Sequence, residues 1–228
     1  MGFVICAGWL LTGCGENTPD QVRFALPSTS IDISSDNPQW RSAPLSAVPA
    51  MVCAGPWAVG DDCCAPPPGV PATGVDCQRY PVACDPSNNL CALTFDVENK
   101  TNVDLLSRFI EMGGVDGRVF ARVQLSSLRT WVDDLDVLPI RNAALFIGPT
   151  NAGATSSPDV TFLATVELTE QATSVTPTGE AQEAFSRFAR DYRMPFALWV
   201  SAHVVVPSGS TPVGSITVHV DGRAQAWY

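Results

Sequence analysis

The sequence predicts a mainly all-β fold: an antiparallel β-sandwich with one α-helix and a disulfide-rich irregular insertion. Three observations predict it. About eight runs alternate apolar with polar residues, and turn residues separate them at sandwich-like spacing. One stretch near residue 180 has helical periodicity instead. Six cysteines cluster between Cys53 and Cys91, in a stretch with no regular period. A barrel is the runner-up. At 228 residues the chain suits one domain with a sizeable core.

The elements follow in order. Val22, Phe24 and Leu26 alternate with smaller or charged residues and end at Pro27, a first strand. Ser30 to Ser34 alternates again as a second. From about Pro38 to Asn89 the pattern dissolves, with dense proline and glycine, as in Ala65-Pro66-Pro67-Pro68-Gly69. So long an irregular stretch needs something to hold it. Cys53, Cys63, Cys64, Cys77, Cys84 and Cys91 supply that hold as a disulfide framework, a lobe at about residues 50–91. A bridge between adjacent Cys63 and Cys64 would be strained, which leaves 12 of 15 connectivities open. Zinc is the rival reading, but the C-x₂₋₄-C hooks it usually needs are missing. Trp40 and Trp57 either fill this lobe or pack onto the main sheet.

Regular structure returns with Cys91, Leu93, Phe95 and Val97 on one strand face, and Thr94, Asp96 and Glu98 on the other. Val103 to Met112 has apolar residues at helical spacing but is short, and Gly113-Gly114 stops it. Val119, Ala121, Val123 and Leu125 alternate, followed by Leu128, Thr130 and Val132. Ala143 to Ile147 and Val160 to Leu168 read as strands around a polar loop from Thr150 to Pro158. Thr178 can cap a helix with Glu180 and Glu183 near its amino end and Arg187 and Arg190 near its carboxyl end. Phe185, Phe188, Ala189 and Tyr192 form its apolar stripe, and Pro195 ends it. Phe196 to Val206 alternates through a long strand. Ile216, Val218 and Val220 follow as its expected hairpin partner, and Arg223 to Tyr228 completes the edge.

Charge and motifs narrow the chemistry. A net charge of −10 speaks against nucleic acid and against electrostatic adhesion to anionic lipid headgroups. No G-x-S-x-G, H-E-x-x-H or P-loop occurs. The expectation is therefore no enzyme and no cofactor. Asp133, Asp134 and Asp136 are a conceivable calcium cluster, read as a solvated turn for want of a full ligand set. In the expected hairpin His203 and His219 are cross-strand neighbours, the one candidate metal pair, though further ligands are missing. Trp199 and Trp227 suit a sugar or lipid site or plain packing.

The amino-terminal stretch carries a resemblance. Gly2 to Leu11 is uncharged and mostly apolar, too short to span a membrane but suited to a signal peptide. It ends in Leu11-Thr12-Gly13-Cys14, which resembles the lipobox of bacterial lipoproteins. That resemblance implies a signal peptide over 1–13, lipidation at Cys14 with fatty acyl chains such as palmitate, a polar tether over 14–20 and one sandwich domain over 21–228. The alternative is an ordinary secretory signal cut near Cys14. Residues 1–13 contain no Lys or Arg, so the signal is atypical or the true start lies upstream of Met1. Gly15, rather than an acidic residue, follows Cys14. By resemblance to lipoprotein sorting, this favours the outer membrane.

Further along, Leu93-Thr-Phe95-Asp-Val97-Glu98-Asn99-Lys-Thr-Asn102 resembles the strand and asparagine turn of the LEA14-like or WHy β-sandwich. The whole layout resembles uncharacterised envelope lipoproteins of myxobacterial type. Both resemblances imply a non-catalytic binding or structural module of the cell envelope, with an envelope protein, glycan or lipid as partner. A carrier of a small hydrophobic ligand between the sheets is the alternative, and a hydrolase comes last.

Overall fold

The computed structural model describes residues 21–45, 63–64, 75–85, 89–111, 119–134 and 138–228. The signal segment, Cys14, the tether, Cys53, Trp57 and Asp136 lie outside them. Two five-stranded antiparallel sheets pack face to face. The first comprises β1 (Gln21–Ala25), β2 (Thr29–Ser34), β5 (Arg122–Asp133), β8 (Thr173–Val175) and β10 (Ser215–Trp227). Its order is β1-β10-β5-β8, with β2 paired to the first half of β10 and β1 to the second. The second comprises β3 (Val82–Asp85), β4 (Leu90–Val103), β6 (Ile140–Pro149), β7 (Thr161–Val166) and β9 (Phe196–Pro207), in the order β3-β4-β9-β6-β7. The inner faces meet in one apolar cluster: Val97, Val200 and Val204 from the second sheet, Ile33, Val132 and Val218 from the first, each fully buried.

The expected hairpin is corrected here. Phe196–Pro207 and Ser215–Trp227 lie in different sheets and face each other across the core. β9 is already flanked on both sides, by β4 over twelve residue pairs and by β6 over nine. Residues 208–214 therefore cross between the layers, tied by Ser208 N–H to Cys91 O at 2.8 Å and Ser35 N–H to Gly214 O at 2.9 Å. Both apolar faces are buried by this route, one against the other.

In β5 the buried phase changes from Val123 and Leu125 to Leu128, Thr130 and Val132. The extra residue is Ser126: Leu125 pairs with Ala224 and Ser127 with Arg223. Such a bulge shifts the inward set by one residue. The Ser126 hydroxyl donates to Arg223 O at 2.9 Å.

Among the described residues three helices join the sheets. α3 (Gly179–Ala189) starts where expected, with Thr178 Oγ1 accepting from Ala181 N–H at 3.1 Å. It lies along the edge of β5 that β8 leaves open. Gln182 Oε1 accepts from Leu125 N–H at 2.9 Å, and its Nε2 donates to Leu125 O at 2.8 Å. Ser186 Oγ accepts from Val123 N–H. Its side chains thus take the hydrogen bonds a further strand would take. α2 (Leu106–Glu111) follows β4. α1 (Pro38–Ser42) and β3 fall in the stretch expected to be irregular. Trp40 joins the main core, 5.4 Å from Phe95, so it packs onto the sheet rather than inside the lobe.

The sandwich has two distinct poles. At the entry pole Gln21 pairs with Trp227, Ala121 N–H donates to Trp227 O, and Phe120 N–H donates to Arg190 O. Phe109, Phe120, Tyr192 and Tyr228 cluster there, with ring centroids 4.8–5.7 Å apart. β10 runs away from this pole for roughly 40 Å at about 3.4 Å per residue. At the far pole are Ser215, the β9 terminus Pro207 and Cys91.

Candidate functional site

The far pole is braced by covalent bonds. Cys63 bonds Cys91 and Cys64 bonds Cys77, so the adjacent cysteines take separate partners. Cys84, cross-strand from Cys91, is also disulfide-bonded. These five sulfurs are therefore committed to disulfides, not to zinc. Val75, Tyr80, Val82 and Leu93 pack with them as a second, smaller core. Within the expected lobe, then, a strand and an apolar cluster exist.

This brace shapes a depression of about 360 Å³ on the outer face of the second sheet. Gln39, Ser42, Arg79, Tyr80, Pro81, Thr94, Phe95, Asp96 and His203 line it. His203 and Asp96 are a directly opposed pair of β9 and β4, with Nδ1 and Oδ1 2.9 Å apart. The Arg79 guanidinium lies 5.2 Å from the Tyr80 ring centre. Tyr80 Oη donates to Ser42 O at 3.0 Å, which fixes that ring between α1 and the turn before β3. Gln39 Oε1 accepts from Glu98 N–H, so α1 is held on the free edge of β4. The depression therefore has aromatic walls and a rim of planar polar groups: a guanidinium, an imidazole, an amide and a carboxylate. Such a lining suits a ligand with both apolar faces and many hydroxyls.

His219 lies elsewhere, on the outer face of the first sheet, so the expected histidine pair does not form. The whole sandwich, with sheets about 10 Å apart, stands between the two rings. Ser30, His219 and Trp131 form one row across β2, β10 and β5. His219 stacks on Trp131 at 4.9 Å, its Nδ1 is 3.0 Å from Ser30 Oγ, and its Nε2 is 2.7 Å from Asp133 Oδ2. Sequence reasoning missed this Ser–His–Asp row because its members sit on three strands and their register is long-range. It can relay a proton. Acyl transfer also requires preorganised donors for an oxyanion.

The other expected site residues are placed plainly. Asp133 is engaged by His219, and no group of three metal-binding side chains occurs among the described residues. Asp221 accepts from Ser28 and Arg129. Trp199 is buried, with Lys100 Nζ 4.6 Å from its ring centre and bonded to Thr150 O and Ala152 O. Thr155 closes the same loop onto Glu98 through its N–H and its hydroxyl. Trp199 is thus packing, not a binding platform. Trp227 carries the Arg122 guanidinium at 5.5 Å. Comparison of the chain with protein-family models, curated proteins and solved structures finds no match.

Proposed function

We propose that the chain is a non-catalytic lipoprotein of the bacterial cell envelope, held in the outer membrane by acyl chains on Cys14, that recognises an envelope glycan at the far pole. One observation carries the binding part: the depression between the disulfide-braced lobe and the second sheet, with His203, Asp96, Arg79 and Gln39 at its rim and Tyr80 and Phe95 in its walls. The disulfides support an oxidising compartment, as an exported protein would have. The inward side chains of both sheets already fill one continuous core, which favours surface recognition over carriage of a ligand between the sheets.

The test is sedimentation of the purified protein with isolated peptidoglycan sacculi. Wild type co-sediments, and Arg79→Ala and His203→Ala each weaken binding about tenfold while keeping the wild-type unfolding midpoint. Sacculi that bind none of them, or all alike, contradict the glycan site. Covalent capture of Ser30 by a fluorophosphonate would contradict the non-catalytic part.

A further inference from the structure

Five large apolar side chains stand well exposed among the described residues, and three of them surround the entry pole. Ile110 is 65% exposed, Met194 63% and Val119 47%. Each is next or nearly next in sequence to a ring of the buried aromatic cluster: Phe109, Tyr192 and Phe120. Their backbones are therefore rigidly seated while their side chains face out. Exposed arginines also gather at this end of a chain of net charge −10. Arg122, Arg187, Arg190 and Arg193 are exposed there, against Asp104, Glu183 and Asp191. Arg193 is held by Asp191 at 2.7 Å.

We infer that this pole is a surface that rests on the lipid bilayer. The inference rests on the Cys14 anchor proposed above. The reason for choosing lipid over another occupant is where the chain enters. β1 begins at Gln21 beside Trp227 and Tyr228, so the polypeptide joins the domain at this pole. Seven residue steps from Cys14 to Gln21 reach about 25 Å at most. An acylated Cys14 thus holds Ile110, Val119 and Met194 within reach of the bilayer. A rigid apolar tip ringed by arginines matches a surface with an apolar interior and anionic phosphates. The acidic remainder of the protein turns away, and the far-pole depression is presented outward.

The experiment uses the full acylated protein on vesicles of phosphatidylethanolamine and phosphatidylglycerol, with the Cys14→Ser chain in buffer as reference. Flotation reports attachment and hydrogen exchange reports contact. The acylated protein floats, and amides at 106–110, 119–122 and 191–194 exchange about tenfold more slowly than in the reference, while those around His203 do not change. The triple variant Ile110→Asp, Val119→Asp, Met194→Asp, acylated at Cys14, still floats but loses that protection. Brominated lipid quenches part of the tryptophan fluorescence of the wild type and not of the triple variant, which keeps the test independent of exchange kinetics. Flotation without protection or quenching overturns the surface and leaves the anchor standing. If Cys14→Ser floats as well as wild type and its triple variant does not, the surface stands and the anchor falls. If neither the acylated chain nor Cys14→Ser floats, both fall.

Discussion

Phe120→Ala is the substitution that most directly tests how the entry pole is held together. Phe120 is fully buried. Its ring lies 5.4 Å from Phe109, 5.7 Å from Tyr192, 5.2 Å from Tyr228 and 6.5 Å from Phe24. It therefore joins β1, α2, the segment after α3 and the carboxyl terminus. Truncating a buried phenylalanine costs about 3–5 kcal/mol in transfer and cavity terms. The flanking rings are anchored in separate elements and cannot all collapse into the space, so the upper half of that range applies. A net stability of about 5–15 kcal/mol then falls by a large fraction. With a urea dependence near 3 kcal/mol per molar for a chain of this size, the unfolding midpoint drops by about 1.3–1.7 M. Equilibrium unfolding followed by tryptophan fluorescence measures it, with Phe162→Ala as the comparison. Phe162 is 40% exposed and its loss costs about 1 kcal/mol or less. A Phe120→Ala midpoint within 0.2 M of wild type would refute the reasoning about this cluster.

Three further outcomes follow from the same structure. His203→Ala and His219→Ala each shift stability by about 1 kcal/mol or less, since each imidazole lies on an outer sheet face and bonds a solvent-exposed carboxylate; a loss as large as that of Phe120→Ala in urea unfolding would show that the outer faces are misassigned. Opening the Cys63–Cys91 bridge by paired serine substitution destabilises more than opening Cys64–Cys77, by about 0.7 kcal/mol from separations of 28 and 13 residues, and the reverse order in thermal unfolding would contradict loop closure as the cause. The Arg193 guanidinium bonded to Asp191 holds that carboxyl below its ordinary range, so its small contribution is present above the unfolded value near 4 and disappears as pH falls through the folded one. Asp191→Asn is accordingly less stable than wild type at pH 6, the gap narrows as pH falls below about 4, and a gap that widens in acid would reverse the sign.

Much of the architecture was legible because its signals are local. Alternation marked β4 and β9, a compact apolar run marked β6, and the Thr178 cap with the Phe185 stripe marked α3. The change of inward phase after Leu125 was visible as well, although its cause, the Ser126 bulge, required the register with β10. Misreadings arose where the decisive partner is distant. Two alternating strands separated by a short Pro- and Gly-containing segment read as a hairpin. Which strand flanks β9 depends on β4, about a hundred residues earlier. β3 is four residues long and gains its place from its ladder with β4, and β8 has three residues and no period of its own. The depression was not legible either. His203 was singled out for the wrong neighbour, and Arg79 and Tyr80 enter the site through the disulfide brace.

The proposed location of the protein, with its entry pole at the bilayer and the depression turned outward, rests on the attachment at Cys14. Metabolic labelling with a palmitate analogue, read by mass spectrometry of the amino-terminal peptide, measures that attachment directly. The account predicts a labelled mature chain beginning at acylated Cys14, and no label on Cys14→Ser. An unlabelled, freely secreted wild type, or equal labelling of Cys14→Ser, would contradict it.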